Sequence, residues 1–247
     1  MAGKVFIAGA GPGAPGLITV KAQRLLMAAD AVVHDRLIAP EILAMIPEGV
    51  EKFFAGKSCK HHVMKQDEIN ELLVTLARRG LNVVRLKGGD PMIFGRGGEE
   101  AEYLVRHNVA FEIVPGVSSA TGCSAFNGIP LTYRGLSNGV HYVTGHSREP
   151  GTELELDWQR LADPDTTLVV YMGLANAGVI AKKLMEHGLP SDFPFAAIQD
   201  GTTQTNRVVI STLANAEQDV AVAKLESPVL IIIGRVVTLH SVLNKKK

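Results

Sequence analysis

The chain has 247 residues, of which 25 are basic and 25 acidic, and its hydrophobic fraction is 46%. Balanced charge provides no overall attraction to nucleic acid or to an anionic membrane surface. No apolar run reaches the roughly 18 residues of a membrane span, and two cysteines without metal-ligand spacing suggest a reducing compartment. We therefore expect a cytoplasmic protein with no metal, no nucleic-acid partner and no membrane segment.

Short apolar runs alternate with amphipathic stretches in the first half of the chain. Strands are predicted at residues 5–8, 31–33, 83–86 and 111–114. One helix is predicted after Thr19, a residue type that caps helix N-termini, and another from Ile69 to a stop at Gly80.

The alternation restarts in the second half. Strands are predicted at residues 140–143, 167–171, 195–198, 207–210 and 229–233, with a helix around Ile180 that stops at Gly188. Strands that alternate with helices predict an α/β fold with a largely parallel sheet. We expect two α/β lobes, residues 1–115 and 116–247.

Polar residues and glycines follow several of the predicted strands. In α/β sheets, ligands bind beyond the carboxyl ends of the strands. Asp35, Asp90, Met172 and Gly201 all lie at such ends. Their placement predicts a ligand site formed by these strand ends.

The segment Gly9-Ala10-Gly11-Pro12-Gly13-Ala14 nominally fits a dinucleotide-binding fingerprint, with Asp35 about twenty residues further on. However, Pro12 and Pro15 each lack an amide hydrogen, and phosphate sites depend on such amides. A nicotinamide-dependent dehydrogenase is therefore the weaker interpretation of this loop, and a plain tight turn is another.

Residues 85–100 read Arg-Leu-Lys-Gly-Gly-Asp-Pro-Met-Ile-Phe-Gly-Arg-Gly-Gly-Glu-Glu and follow a predicted strand. A simple connection needs far fewer residues. The segment favours a ligand loop in which Asp90 accepts hydrogen bonds and Arg96 pairs with Glu99. A long flexible loop is the alternative.

Five segments together resemble the tetrapyrrole methylase family, and in particular its members that methylate uroporphyrinogen III. They are residues 85–100, 128–134, 143–146, 171–174 and 227–237. The resemblance implies two α/β lobes with the active site in the cleft between them, and a homodimer. It also implies transfer of two methyl groups from S-adenosyl-L-methionine to uroporphyrinogen III. The products would be precorrin-2, on the way to siroheme and cobalamin, and S-adenosyl-L-homocysteine.

The resemblance also implies roles for individual residues. Asp35 matches a proposed proton acceptor and Lys57 a proposed proton donor, while Arg96, supported by Glu99, is a competing candidate base. Because arginine is a poor base at its usual pKa, we favour electrostatic placement for Arg96. The implied tetrapyrrole-binding residues are Arg36, Arg134 and His146, and the implied cofactor-binding residues are Pro12, Gly88, Gly89, Asp90, Ile93, Ser118, Ser119, Met172 and Gly201.

Two further alternatives stay open beside the dehydrogenase. One is a sister methylase that acts on a later corrin precursor. The other is a tetrapyrrole carrier without catalytic activity.

Overall fold

The structure is a computed structural model that describes residues 3–56, 64–147 and 152–244. Contacts divide the chain into two compact units, Met1–Ser119 and Ala120–Lys247. Within the described residues, each unit contains one five-stranded sheet with helices, which confirms the α/β class.

The first sheet is parallel throughout. Its strands are β1 (Lys4–Gly9), β2 (Ala31–His34), β3 (Glu51–Phe54), β4 (Asn82–Lys87) and β5 (Ala110–Val114), and its helices are α1 (Val20–Met27), α2 (Pro40–Leu43), α3 (Gln66–Arg78) and α4 (Gly97–Arg106). The strand order is β3-β2-β4-β1-β5. All these strands therefore end at the same edge of the sheet.

Both faces of this sheet are covered, as is usual for parallel sheets. Val5 and Ile7 of β1 pack with Leu73 of α3 and Leu104 of α4. The alternate residue Ala8 belongs to the cluster on the opposite face, beside α1 and α2. The predicted cap of α1 is confirmed, since the Thr19 hydroxyl accepts a hydrogen bond from the Ala22 amide at 3.2 Å.

The second sheet is mixed. Its strands are β6 (Gly139–Thr144), β7 (Thr166–Tyr171), β8 (Pro194–Gln199), β9 (Arg207–Thr212) and β10 (Val229–Ile233), and this unit's helices are α6 (Trp158–Leu161), α7 (Ala177–Glu186), α8 (Ala216–Val222) and α9 (His240–Leu243), with α5 (Ser119–Phe126) at its start. The strand order is β6-β7-β10-β8-β9.

The expectation of a largely parallel sheet is wrong for this unit. Only β6 and β7 pair in parallel, whereas β10 is antiparallel to both β7 and β8, and β9 is antiparallel to β8. Residues 200–206 join β8 to β9, and a parallel crossover needs a dozen or more residues. Even so, β6, β7 and β8 run in one direction, so their carboxyl ends share an edge.

The core of the second unit is apolar on both faces of its sheet. Phe195 and Ile231 pack with Ile180 of α7 on one face. Ile198 and Ile232 belong to the cluster on the other face, with α5. None of the helices in the described ranges is long and apolar enough to cross a membrane.

Candidate functional site

Three loops leave the carboxyl edge of the first sheet in close backbone contact. Gly11 and Gly89 form a bridge, with the Gly89 amide donating to the Gly11 carbonyl at 2.7 Å and the Gly11 amide to the Gly89 carbonyl at 3.2 Å. A Cβ on Gly116 would lie 2.2 Å from the Gly89 carbonyl oxygen and 2.8 Å from the Cα of Gly9. Only a residue without a side chain fits at Gly116.

Asp90 ties two of these loops together. Its Oδ1 accepts from the Met92 amide at 2.8 Å, and its Oδ2 accepts from the Gly116 amide at 3.0 Å. A carboxylate has about four acceptor positions, so each oxygen can still accept a hydrogen bond from a ligand. Asp90 therefore shapes the edge whether or not it also contacts a cofactor.

The segment at residues 85–100 is not one continuous loop. The helix α4 begins at Gly97, so Glu99 and Glu100 lie in its first turn, where acidic side chains interact favourably with the helix dipole. Phe94 (φ 51°) and Arg96 (φ 58°) hold left-handed backbone conformations immediately before the helix. Strained residues of this kind cluster at functional sites.

Arg96 and Glu99 form the expected pair. The Arg96 Nε lies 3.0 Å from each carboxylate oxygen of Glu99, and both side chains are more than half exposed. This hydrogen bonding raises the pKa of Arg96 and lowers the pKa of Glu99. A raised pKa keeps the guanidinium protonated and unable to accept a proton, which favours an electrostatic role for Arg96 over proton abstraction.

Four charged side chains meet behind the same edge. Arg85 Nη2 donates to Asp35 Oδ1 at 2.6 Å, and Lys87 Nζ lies 3.9 Å from Asp35 Oδ2. Arg85 Nε and Lys87 Nζ both donate to Glu100 Oε1, at 3.2 and 2.7 Å. The exposed fractions are 2% for Arg85, 5% for Lys87 and 0% for Glu100, but 28% for Asp35. Asp35 is thus the accessible end of a buried network.

Hydrogen bonding within this network is uneven. Gln66 Nε2 also donates to Glu100 Oε1, at 3.2 Å, whereas Glu100 Oε2 has no hydrogen-bond partner among the residues that the structure describes. A buried polar atom without a partner costs about 1–3 kcal/mol. Burial lowers the pKa of the Lys87 ammonium, with the charge of Arg85 acting in the same direction and Glu100 and Asp35 opposing. Such an arrangement is a poor way to stabilise a core.

Sequence reasoning did not assign roles to Lys87 and Glu100. A signal was available, because Val83, Arg85 and Lys87 alternate along β4 and so share one face of a strand. Two cations on the buried face of a parallel strand require an internal anion. The sequence alone does not show that Glu100 supplies it.

The remaining predicted residues of this unit are scattered along the edge. Asp35 and Arg36 follow β2, with Arg36 exposed, and Pro12 lies half-buried in the loop after β1. The Ile93 amide donates to the Asp90 carbonyl at 3.3 Å. Lys57 lies outside the described residues.

The loop after β1 does not form a dinucleotide site. A 3-10 turn at Pro15–Leu17 follows it, and α1 begins only at Val20. In the dinucleotide fingerprint the glycine loop itself opens the helix whose N-terminus holds the pyrophosphate. The dehydrogenase interpretation therefore loses its structural basis.

Ser118 and Ser119 lie where β5 gives way to α5. Ser118 is buried, and Ser119 is the first residue of α5. A Cβ on Gly89 would lie 3.3 Å from the Ser119 hydroxyl oxygen. The structure thus brings Ser119 beside Gly89, as expected for residues of one site.

In the second unit, His146, Met172 and Gly201 follow β6, β7 and β8 at their common edge. Met172 holds a left-handed conformation (φ 55°) with its side chain 54% exposed. Methionine is a residue type that is often buried in the core, but this side chain is exposed. An exposed, flexible apolar side chain on a strained backbone is suited to contact a ligand.

Gly201 is pressed against α5. A Cβ at this position would lie 2.3 Å from the Cys123 Sγ, and the flanking Asp200 and Thr202 are both left-handed (φ 49° and 75°). Burial raises the pKa of the Cys123 thiol to about 12, so this cysteine serves packing rather than nucleophilic chemistry.

Arg134 and His146 are exposed. Arg134 lies in a tight turn closed by hydrogen bonds from the Leu136 and Ser137 amides to the Tyr133 carbonyl, at 3.0 and 2.9 Å. The His146 amide lies 3.3 Å from the Thr144 hydroxyl oxygen, to which it donates. In residues 3–56, 64–147 and 152–244, no group of three His, Cys, Asp or Glu side chains is placed to hold a metal ion.

A model of the tetrapyrrole (corrin/porphyrin) methylases matches residues 4–217. The chain belongs to the tetrapyrrole methylase family. It is 49% identical over 238 residues to a siroheme synthase of Nitrosospira multiformis, covering 96% of this chain but 50% of that protein. It is 46% identical over 237 residues to an S-adenosyl-L-methionine-dependent uroporphyrinogen III methyltransferase of Arabidopsis thaliana, with 96% and 64% covered.

Solved structures of the family agree with the fold. One is the Thermus thermophilus uroporphyrin-III C-methyl transferase complexed with S-adenyl homocysteine, which is 42% identical to this chain. The match covers 96% of this chain and 100% of that one, with a TM-score of 0.80. By contrast, the chain spans about half the length of the siroheme synthases that it matches.

Proposed function

We propose that this chain is an S-adenosyl-L-methionine-dependent uroporphyrinogen III C-methyltransferase that adds two methyl groups to give precorrin-2. The observation that carries the proposal is the 42% identity to the Thermus thermophilus uroporphyrin-III C-methyl transferase, over 96% of this chain and 100% of that one. The product would serve siroheme or cobalamin biosynthesis, and the similarity to siroheme synthases supports the former.

The residues at the strand ends suit the cofactor. Asp90 and Ser119 provide acceptors for ribose hydroxyls and an amino group, and the exposed side chain of Met172 provides an apolar surface. We propose cofactor contacts at Pro12, Gly88, Gly89, Asp90, Ile93, Ser118, Ser119, Met172 and Gly201. S-Adenosyl-L-methionine, when bound, supplies a methyl group on a sulfonium that a nucleophilic carbon can displace.

The protein's contribution is alignment and proton transfer. Holding the methyl donor and the acceptor carbon in line raises the rate of methyl transfer by a large factor. When a pyrrole carbon is methylated, positive charge develops on the ring and a proton must leave it. We propose that Asp35, partly exposed at the end of β2, accepts this proton. We propose that Lys57 donates a proton when the ring double bonds rearrange and that a second ring proton leaves in exchange, so that each methyl group replaces one proton. Arg96, fixed by Glu99, places positive charge beside the substrate.

Recognition of the substrate is proposed to depend on carboxylates. Uroporphyrinogen carries acidic side chains around its ring, and guanidinium groups bind carboxylates bidentately. Arg36 and Arg134 are both exposed and of a type that makes such contacts, with His146 as a further polar contact. Local arginines supply this recognition although the chain has no net charge.

The proposal also covers the location of the protein in the cell and its oligomeric state. We propose a cytoplasmic homodimer, supported by the family resemblance and by the paucity of cysteine. Light scattering of the purified protein would measure its mass in solution, and a monomer at micromolar concentration would contradict the dimer.

Mass spectrometry of uroporphyrinogen III incubated with the protein and S-adenosyl-L-methionine tests the activity. We expect a gain of two methyl groups, and trideuteromethyl donor should add three further mass units per group transferred. Retained but unmodified tetrapyrrole would indicate a carrier. Methylation only of a later corrin precursor would indicate a sister methylase. Either result, with folded protein that binds S-adenosyl-L-homocysteine, would overturn the proposal.

A further inference from the structure

The buried network behind Asp35 has an order from interior to surface. Glu100 is completely buried on α4, Arg85 and Lys87 are almost completely buried on β4, and Asp35 is partly exposed after β2. Both cations contact both carboxylates, directly or at 3.9 Å. Any change of charge at Glu100 therefore reaches Asp35 through two parallel contacts.

This network does not resemble one selected for stability. One oxygen of Glu100 accepts from Arg85, Lys87 and Gln66, and the other accepts from none of them. Well-packed apolar residues usually serve the interior as well as buried ion pairs do, or better. A buried group retained against that alternative calls for a role beyond packing.

We propose that Glu100 and Lys87 are positioning residues, which hold Arg85 in place and set the electrostatic environment of the Asp35 carboxylate as it accepts the substrate proton. The inference rests on the proposed function, and on Asp35 as the acceptor. Neither Glu100 nor Lys87 need touch the substrate. Glu100 instead shares the two cations with Asp35, so that Asp35 is held in place without being their only anionic partner.

Other charges face the network from each surrounding element. From α3, Gln66 and Asn70 are neutral, and Asp67 lies within electrostatic range of Arg96. Near α4, Arg96 interacts with Glu100, and Glu99 interacts with Lys87. From β2, the His34 ring is 3.3 Å from the Asp35 carbonyl oxygen. These groups stay unchanged in the variants below.

The first variant is Glu100→Gln, which keeps the shape and removes the charge. Arg85 and Lys87 then act on Asp35 alone, and repulsion between two carboxylates disappears. Both changes favour the charged form of Asp35, so the acid limb of the kcat profile should move about one pH unit lower. The weaker base should lower kcat about tenfold near neutral pH, with little change in the KM for tetrapyrrole.

The matched control is Glu102→Gln. Glu102 lies on the same helix, is exposed and pairs with Arg106, so the profile should stay that of the wild type. Asp35→Asn should remove the acid limb together with nearly all activity. An acid limb in Glu100→Gln that coincides with that of the wild type would overturn the inference, as would an active Asp35→Asn.

A second variant covers the event that Glu100→Gln does not fold. The double substitution Lys87→Met with Glu100→Leu removes both charges and leaves an apolar pair, which proteins commonly tolerate. Arg85 loses its contact with Glu100 and is no longer held in position against Asp35, so kcat should fall about tenfold. We expect an unchanged melting temperature and unchanged binding of S-adenosyl-L-homocysteine by calorimetry. Wild-type kcat in this folded variant would show that the pair is merely structural.

An activity assay of the wild-type protein distinguishes failure of the proposed function from failure of the positioning role. If it transfers no methyl group to uroporphyrinogen III, the proposed function fails. If it does, and the variants behave as the wild type, only the positioning role fails.

Discussion

The two units bring strand ends to one edge in opposite ways. In the first, glycine backbones touch, and a Cβ on Gly116 would overlap the Gly89 carbonyl. In the second, side-chain-bearing residues such as Met172 and Asp200 hold left-handed backbone that glycine adopts more easily. The first edge therefore cannot accept a side chain at Gly116, whereas the second keeps the side chains of Met172 and Asp200 at a cost in strain.

The largest expected effect is that of adding one methyl group to the first edge. Gly116→Ala should lower the free energy of unfolding by about 3 kcal/mol, because the three loops must separate. It should also weaken binding of S-adenosyl-L-homocysteine. Denaturant unfolding and calorimetry measure the two effects.

The matched control for that variant is Gly16→Ala, whose Cβ would meet nothing within 4 Å. It should change stability by less than about 0.5 kcal/mol. If the two alanine variants were equally stable, close packing would not define the first edge.

At the second edge, removing a side chain should not lower the stability of the fold. Met172→Gly removes left-handed strain of about 1–2 kcal/mol, offset by the greater freedom of glycine in the unfolded chain. Stability should therefore stay level or rise by up to about 1 kcal/mol, while affinity for S-adenosyl-L-homocysteine falls about tenfold as the exposed side chain is lost.

Lys224→Gly tests whether strain alone explains such a result. Lys224 is an exposed left-handed residue (φ 49°) outside the proposed site. The Lys224→Gly variant should gain similar stability without any loss of affinity for S-adenosyl-L-homocysteine. A Met172→Gly protein that binds as tightly as the wild type would remove Met172 from the site.

The smallest effect concerns the surface of the first unit. Glu112 pairs with Lys4 at 2.7 Å and with Lys21, and these hydrogen bonds lower its pKa from 4.5 to about 2. A lowered carboxyl pKa stabilises the fold above pH 4.5, and this contribution is lost as the pH falls toward 2.

Unfolding of wild type and Glu112→Gln as a function of pH would measure this contribution. The wild type should be slightly more stable at neutral pH, and the difference should vanish in acid. Near 1 M salt it should also shrink, because exposed charges are screened. A difference that grows on acidification would contradict the assignment.

The sequence predicted the strands well and the second sheet poorly, for a physical reason. Runs such as residues 207–210 reveal a strand but carry no sign of its direction, which depends on connections such as residues 200–206. β3 was missed because Glu51 and Lys52 interrupt its pattern.

Some residues of the candidate site could likewise be predicted from the sequence and others could not. Asp35, Met172 and Gly201 were predictable because they follow apolar runs, and strand ends are where α/β proteins bind ligands. Glu100 was not, because its burial depends on α4 beginning at Gly97 and turning one face of its first turn inward. The burial of Glu100 results from the packing of α4 in the folded protein, and no local pattern in the sequence predicts it.

The shared backbone contacts of the first edge also have a kinetic consequence. The Gly89 amide donates a hydrogen bond to Gly11 and the Gly116 amide donates one to Asp90. Amides of these three loops are therefore protected by hydrogen bonds to a neighbouring loop. These amides should exchange with deuterium together, in one opening event, rather than loop by loop. A molecule held under these loops would then leave at the rate of that joint opening, and residence time would be a property of the edge as a whole.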